Sequence, residues 1–127
     1  MSQQTSVAAE VLQAFAAYET ALIDNDVAAM QRCFWDSEEL VRFGVADEQW
    51  GARQLRIWRA AASPVPSGRT LGKTQVAVFG PATAVVTTLF CYPGNRALGR
   101  QSQTWVCFDG DWRIVSAHVS ERAATGP

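Results

Sequence analysis

The sequence predicts an α+β domain in which N-terminal helices pack on one face of a curved, mainly antiparallel sheet. Apolar residues recur at helical spacing in the first half of the chain, and after the proline-rich break at 63–68 they alternate as in strands. An Asp-Gly turn between two late strand-like runs adds a hairpin. At 127 residues and 48% apolar composition, the chain is expected to form one domain over 1–127.

The first half of the chain opens with two predicted helices. The first runs from about 6 to 24, has Tyr18 on its apolar stripe, and ends where Asp24-Asn25-Asp26 breaks the period. Asp26 is suited to cap a short second helix that extends to about Cys33.

A strand and a third helix follow. Residues 35–45 contain a strand in which Arg42 alternates with apolar neighbours, so Arg42 is expected to point away from the more apolar side. The third helix covers 48–62 and stops at the proline-rich break. Its period turns Leu55, Trp58 and Ala61 inward and Arg53, Arg56 and Arg59 largely outward.

The second half predicts four long strands joined by turns that contain Gly-Pro, Pro-Gly-Asn and Asp-Gly. These strands cover residues 73–79, 82–92, 98–108 and 112–120. The strand 82–92 is apolar or threonine-rich on both faces, so the outer sheet face is expected to meet a second copy of the chain. An ordinary solvated face rich in threonine is the alternative.

The last hairpin predicts a ligand pocket. If Phe108 pairs with Asp111 across the Asp109-Gly110 turn, alternate residues of both strands share one face. That face is apolar near the turn and becomes polar further away, which is typical of a small-molecule pocket. Its predicted lining, beside Cys107, Trp112 and Ile114, consists of Trp105, Gln103, Ser116, Gln101 and His118.

Composition excludes several partners and chemistries. The net charge is -1, and the ten arginines and one lysine are scattered, so nucleic acid is not expected. A polar N-terminus and the lack of any membrane-length apolar run predict a cytoplasmic protein without a membrane partner. Cys33, Cys91 and Cys107 are expected to be reduced and buried. One histidine and the lack of phosphate-binding, dinucleotide-binding or nucleophile motifs indicate neither metal nor cofactor.

Several segments together carry a family resemblance. They are Val41-Arg42-Phe43-Gly44, Trp50-Gly51, Arg69-Thr70-Leu71, Gly-Arg-Gln-Ser-Gln-Thr-Trp-Val at 99–106 and Trp-Arg-Ile-Val-Ser-Ala-His-Val-Ser at 112–120. In this order they resemble the nuclear-transport-factor-2-like (NTF2-like) superfamily, which are cone-shaped α+β folds that include SnoaL-like proteins. Within it, the chain is similar to the small AtzH and HpxZ group from about Val11 to Ser120.

Proteins of this group accompany amidases in bacterial breakdown of nitrogen-rich compounds such as cyanuric acid, an s-triazine, and oxalurate. The resemblance implies a small carboxylated urea-like substrate, and in the cyanuric acid pathway it implies conversion of 1,3-dicarboxyurea to allophanate with loss of carbon dioxide. It also implies Tyr18 and Arg42 as the catalytic residues. An amidase is a possible partner.

The residues themselves leave alternatives open. Tyr18 is otherwise a core tyrosine bonded to a carbonyl, and Arg42 a solvated or ion-paired strand residue. His118 is either structural or orients water or a substrate carbonyl. Trp50 and Trp105 are expected as pocket walls or core rather than as reacting groups.

The resemblance implies a cofactor-independent amidohydrolase or decarboxylating hydrolase, and two other function classes compete with it. A non-catalytic ligand-binding protein or accessory protein of an amidase is the first, because fold does not settle function. A SnoaL-like isomerase or cyclase is the second, and it would need an acidic base deep in an apolar cone. The predicted register places neither Asp nor Glu on the inner face of the hairpin, which ranks this class third.

Overall fold

This computed structural model describes residues 3–123, which form three helices and six strands. The helices are α1 (Gln3–Ile23), α2 (Val27–Arg32) and α3 (Ala52–Ala61). The strands are β1 (Val41–Phe43), β2 (Glu48–Trp50), β3 (Thr70–Val78), β4 (Thr83–Cys91), β5 (Ala97–Phe108) and β6 (Asp111–Ala123). The predicted α+β class and the two opening helices are confirmed.

The strands form one sheet in the order β2-β1-β6-β5-β4-β3. All neighbouring pairs are antiparallel except β1 and β6, which run parallel with Arg42 opposite Ala117. The short β1 and β2 therefore extend the long β3–β6 meander at its β6 edge. Within residues 3–123, no helix combines the length and apolar character that crossing a bilayer requires.

The core lies between α1 and the concave face of the sheet. The helical stripe predicted for α1 is buried and includes Val11, Phe15 and Tyr18. It faces Trp105 and Ile114, whose exposed fractions are 0%. Because α1 lies across the sheet, a side chain at the C-terminal end of this stripe reaches the space between the helices and the strands.

The helix boundaries follow from local signals. The carboxylate of Asp26 accepts a hydrogen bond from the Ala29 amide at 3.0 Å and caps α2 as predicted. The third helix begins at Ala52 rather than near residue 48, because residues 48–50 pair with β1 as the unpredicted strand β2. Gly51, at φ 95°, makes the turn between β2 and α3.

A β-bulge changes the register of the β5–β6 hairpin. Asp109 and Gly110 both have positive φ, and the pairing follows the prediction from the turn as far as Trp105 opposite Ile114. The next pair is Thr104 with Ser116, so Val115 is an extra residue on β6. Beyond this bulge, the predicted register is wrong by one residue.

The bulge has a cause outside the hairpin. The Ile114 amide donates to the Cys33 carbonyl at 2.7 Å, and the Ile114 carbonyl accepts from the Trp35 amide at 2.9 Å. The backbone of Ile114 is therefore bound to the segment after α2, and the ladder with β5 resumes only after Val115. A one-residue shift moves every later side chain of β6 to the opposite face.

The three cysteines are free thiols, as expected, but they are not all buried. Cys33 and Cys107 are half-buried, whereas Cys91 lies exposed at the end of β4. Burial raises the pKa of the Cys33 thiol, although Arg113 and Arg32 partly oppose this effect. The prediction of a buried cysteine is therefore wrong for Cys91.

Gly99 makes room for an aromatic ring under the candidate site. A Cβ on Gly99 would overlap the ring of Phe90, and that ring already carries the Arg69 guanidinium 4.1 Å from its centroid. Gly99→Ala is therefore expected to lower the free energy of unfolding by about 1–3 kcal/mol, measured by urea denaturation. Gly72→Ala is the control, with a change below about 1 kcal/mol, because its Cβ would lie 3.3 Å from Leu89. Equal effects would contradict the overlap.

Candidate active site

A cavity of about 400 Å³ lies between α1, α3 and the concave face of the sheet. Its polar lining combines two phenols, three guanidiniums, two carboxylates, an amide and a hydroxyl, and Trp58 forms part of its wall. These polar residues are Tyr18, Tyr92, Arg42, Arg59, Arg69, Asp47, Glu121, Gln101 and Ser63. A larger depression of about 840 Å³ adjoins it, but this is an open groove between the β1–β2 hairpin and α3. We take the smaller cavity as the candidate site because the ionisable groups converge there.

Arg42 points away from the more apolar side of its strand, as predicted, but that direction leads into this cavity and not to solvent. Only 8% of the residue is exposed. Its Nη1 donates to Asp47 Oδ1 at 2.8 Å and to Gln49 Oε1 at 3.0 Å, and Gln49 Nε2 donates to the same Asp47 oxygen at 2.8 Å. This closed set of hydrogen bonds fixes the guanidinium 4.6 Å from the centroid of the Trp58 ring.

The outer side of β1 explains this orientation. Phe43 turns away from the cavity and packs edge-on against Trp50 and His118, with ring centroids 5.6 Å apart in both pairs. Phe43 of β1 therefore has aromatic partners on the outer face, and the concave face is left to Arg42. The more apolar side of this strand is the outer side.

Arg59 also points inward, contrary to the prediction from α3. The buried residues of this helix are Ala52, Leu55 and Arg59, whereas the predicted core residue Ala61 is exposed. Burial is the main factor that lowers the pKa of Arg59. The neighbouring Arg42 lowers this pKa further, while Tyr18 and Asp47 oppose the shift. A buried stripe through Ala52, Leu55 and Arg59 would have predicted that Arg59 points inward.

Tyr18 reaches the cavity from the buried stripe of α1. It is 3% exposed and packs edge-on against Phe34 with ring centroids 5.7 Å apart. Tyr18 and Arg59 line the same cavity, and Tyr18 raises the pKa of the Arg59 guanidinium. A phenol and two guanidiniums therefore meet at one end of the cavity.

A buried ion pair forms another part of the wall. Arg69 donates through Nε to Glu19 Oε1 at 2.8 Å and through Nη2 to Glu19 Oε2 at 3.1 Å. Its Nη1 donates to the Tyr92 hydroxyl at 2.9 Å, and Gln101 Nε2 donates to Glu19 Oε2 at 3.4 Å. Burial alone would lower the pKa of Arg69, but its bonds to Glu19 and Tyr92 outweigh burial and raise it.

The predicted pocket wall on the hairpin is divided by the bulge. Gln101 lines the cavity, but Ser116 and His118 lie exposed on the other face of the sheet, opposite Thr104 and Ser102. The predicted shared face is therefore wrong for both. The shift also brings Glu121 to the cavity rim, where it is exposed, so the expectation that the inner face lacks an acid is wrong.

The remaining predicted binding residues lie elsewhere. Trp105 is fully buried in the core, and its Nε1 donates to Gln103 Oε1 at 3.0 Å. Gln103 is itself only 2% exposed. Trp50 is 56% exposed and donates to Glu48 on the surface. The cavity thus unites Tyr18, Arg42 and Gln101 from the predicted set. Asp47, Gln49, Glu19, Arg59 and Arg69 were not predicted as site residues.

The arrangement is suited to a small planar anion. Guanidiniums bind carboxylates through paired hydrogen bonds, and the three guanidiniums of this cavity belong to largely buried side chains. The Tyr18 hydroxyl can donate or accept a proton beside them. Within residues 3–123, no three histidine, cysteine, aspartate or glutamate side chains lie together as a protein metal site requires.

Comparisons with known proteins agree with the fold. A family model described as AtzH-like matches residues 2–124. A cystatin-like fold protein from Burkholderia xenovorans LB400 is 43% identical, with a TM-score of 0.93 over 96% of each chain. A protein of unknown function from the DUF3225 family, from Pectobacterium atrosepticum, is 40% identical, with a TM-score of 0.91 over 94% of each chain. No match was found among curated protein sequences.

A more distant structure shows the architecture alone. An NTF2-like protein from Cytophaga hutchinsonii is 16% identical, with a TM-score of 0.73 over 96% of this chain and 100% of that one. This likeness confirms the NTF2-like fold. The family model covers nearly the whole sequence, and two solved structures share at least 40% identity with it. The chain therefore belongs to the AtzH-like family.

Proposed function

We propose that this protein is a small-molecule hydrolase that converts a carboxylated urea, 1,3-dicarboxyurea, to allophanate with loss of carbon dioxide. The observation that carries the proposal is that Tyr18 and Arg42 line the same cavity. Both Arg42 hydrogen bonds use Nη1, so Nε and Nη2 present the guanidinium edge that a ligand carboxylate can meet. Family membership supports the substrate class. Catabolism of cyanuric acid is the proposed context.

The proposed reaction breaks one C–N bond. The electron pair of that bond passes to nitrogen as the carboxyl group leaves as carbon dioxide, and nitrogen takes a proton from the Tyr18 hydroxyl. The phenolate then takes a proton from water, which restores the enzyme. The hydroxide left behind combines with the released carbon dioxide as bicarbonate, so one water is consumed overall. Arg42 orients the anion, and the neighbouring guanidiniums stabilise the phenolate while it lasts. The step needs no covalent intermediate, and an acyl adduct trapped on any Cys or Ser would exclude it.

Turnover of freshly prepared 1,3-dicarboxyurea tests the proposal. Purified protein is expected to accelerate formation of allophanate and carbon dioxide well above the spontaneous rate, followed by ¹³C NMR. Heat-denatured protein gives the background. A rate equal to that background, together with tight binding of the substrate, would favour the accessory class instead.

One observation favours that second class, an accessory protein of an amidase. The open groove beside the cavity exposes Ile57 to 62% and Val45 to 54%, which suits contact with another protein. The third class, an isomerase or cyclase, needs an acid deep in an apolar cone. Glu121 is an exposed residue at the rim of a cavity lined by three arginines, so this class remains the least supported.

The outer sheet face is proposed as a homodimer interface. Val85 and Leu89 of β4 are half-buried on this face, and the aromatic cluster of Phe43 and Trp50 lies on the same side of the sheet. Symmetric pairs are the commonest oligomers. A sedimentation mass equal to one chain at micromolar concentration would exclude this interface.

Replacing Arg42 by lysine tests whether it forms two parallel bonds to a carboxylate. Lysine keeps the charge but loses the planar fork that Asp47 and Gln49 hold in place. Arg42→Lys is therefore expected to lower kcat/KM by about 10- to 100-fold, which corresponds to one or two charged hydrogen bonds. Steady-state kinetics on dicarboxyurea measures the effect. Full activity would show that bidentate binding is wrong.

A further inference from the structure

The three arginines of the cavity differ in how their charges are balanced. Arg42 forms an ion pair with Asp47 at 2.8 Å, and Arg69 forms one with Glu19, also at 2.8 Å. Within residues 3–123, no carboxylate lies within 4.0 Å of the Arg59 guanidinium. The cavity therefore contains one guanidinium whose charge is not neutralised by a contacting acid.

This unbalanced charge is also buried. Arg59 is 8% exposed, and among the described side chains its Nη2 is the buried polar atom without a hydrogen-bond partner. A buried cation without a partner destabilises a fold, because it loses the hydration that water would supply. The Trp58 ring lies 4.8 Å from its guanidinium carbon, and Tyr18 raises its pKa, but neither neighbour is a carboxylate that balances the charge. A neutral side chain in this place would avoid the cost, so the charge points to an anion from outside the protein.

We infer that Arg59 is the anion receptor of the cavity and that a ligand carboxylate supplies its missing partner. The inference rests on the proposed function and deepens it, because it names the residue that selects a carboxylated urea over a neutral one. A planar guanidinium can bind both oxygens of one carboxylate. Arg42, already bound to Asp47 and Gln49, then lies beside the ligand as a fixed second donor.

A structural role for Arg59 makes different predictions. If its guanidinium only packs on Trp58, its removal would lower the stability of the fold and weaken charged and neutral ligands alike. If it receives an anion, its removal would weaken charged ligands selectively. It would also leave the stability of the empty protein unchanged or higher, since the unpaired buried charge is gone.

Calorimetric titration with two matched ligands separates these roles. Oxalurate is a urea that carries a carboxylate, and oxaluramide has the same skeleton with a carboxamide in its place. The wild-type protein is expected to bind oxalurate about tenfold or more tightly than the amide. Arg59→Gln is expected to weaken oxalurate binding by about tenfold or more and amide binding by less than about threefold, which removes the preference. Recovery of unchanged ligand by ¹³C NMR excludes turnover.

Two further variants complete the experiment. Arg56→Gln is the matched control, because Arg56 lies on the same helix but is exposed and paired with Asp36 at 2.9 Å. This variant is expected to keep the wild-type preference for oxalurate over oxaluramide. Arg59→Lys is expected to retain part of the preference that Arg59→Gln loses, since lysine keeps the charge without the planar fork. The melting temperature of empty Arg59→Gln is expected to equal or exceed that of the wild type.

Several results would overturn the inference. The first is a wild-type protein that binds oxalurate and oxaluramide equally well or binds neither. The second is an Arg59→Gln variant that still prefers oxalurate. The third is an Arg59→Gln variant with a lower melting temperature and equally weakened binding of both ligands. Failure of the proposed function gives a different result. In that case dicarboxyurea is not turned over, but the charge preference and its dependence on Arg59 remain.

Discussion

Tyr18→Phe is expected to lower kcat for dicarboxyurea by about 10²- to 10⁴-fold, the usual effect of losing a positioned general acid. The change removes one hydroxyl and keeps the ring that packs edge-on against Phe34. Binding of the substrate carboxylate depends on the arginines, so KM is expected to change by less than about threefold. Steady-state kinetics, with carbon dioxide release as the signal, separates the two parameters.

Three controls show whether the loss is chemical. The melting temperature and oxalurate binding of Tyr18→Phe are expected to match the wild type, because the phenylalanine ring fills the same space. His118→Ala is expected to reduce activity far less, since His118 lies on the outer face of the sheet. A Tyr18→Phe variant with a kcat within about threefold of the wild type would exclude Tyr18 as the proton donor.

The order of helices and strands was predictable because its signals are local. Periodicity placed α1 and the four long strands within a few residues of their observed bounds. Asp26 and Asp109-Gly110 marked a cap and a hairpin through the backbone geometry these residues favour. The strand β2 was missed because its three residues are too few to show alternation, and they acquire a strand conformation by pairing with β1.

The cavity was harder to predict because it depends on contacts between distant segments. Phe43 packs against Trp50 and His118 on the outer face of the sheet. Because side chains alternate along β1, this packing turns Arg42 toward the concave face. The face of His118 is set by the bulge at Val115, which forms because Ile114 bonds to backbone near Phe34. Sequence pattern fixed the register only between the turn and the bulge.

Charge gave a misleading signal for the arginines of the site. On sequence alone, Arg59 was assigned to solvent, as most arginines are. Its inward position continues the helical spacing of the buried Ala52 and Leu55. To predict it, this spacing would have to count for more than the preference of a charged side chain for solvent. The partner of Arg69 is Glu19, which lies 50 residues earlier and could not be paired with it by any local rule.

Glu19→Gln is expected to lower the free energy of unfolding by about 3–5 kcal/mol, because it leaves a buried guanidinium without its counter-charge. The side chains of Arg69 and Glu19 are 3% and 8% exposed, and two hydrogen bonds join them. Glutamine keeps the size and one acceptor oxygen, so the change tests charge rather than packing. Urea denaturation measures the loss.

Glu10→Gln is the matched control on the same helix, because Glu10 is exposed and accepts one hydrogen bond from Trp112 Nε1 at 2.9 Å. Its expected cost is below about 1.5 kcal/mol, the net value of a single hydrogen bond. Adding Arg69→Met to Glu19→Gln is expected to recover part of the stability, since the double variant has no unpaired buried charge. If the loss of unfolding free energy in the double variant equals the sum of the losses in the two single variants, the two side chains act independently. In that case the bond of Arg69 to the Tyr92 hydroxyl, rather than its ion pair, would be what holds this wall of the cavity.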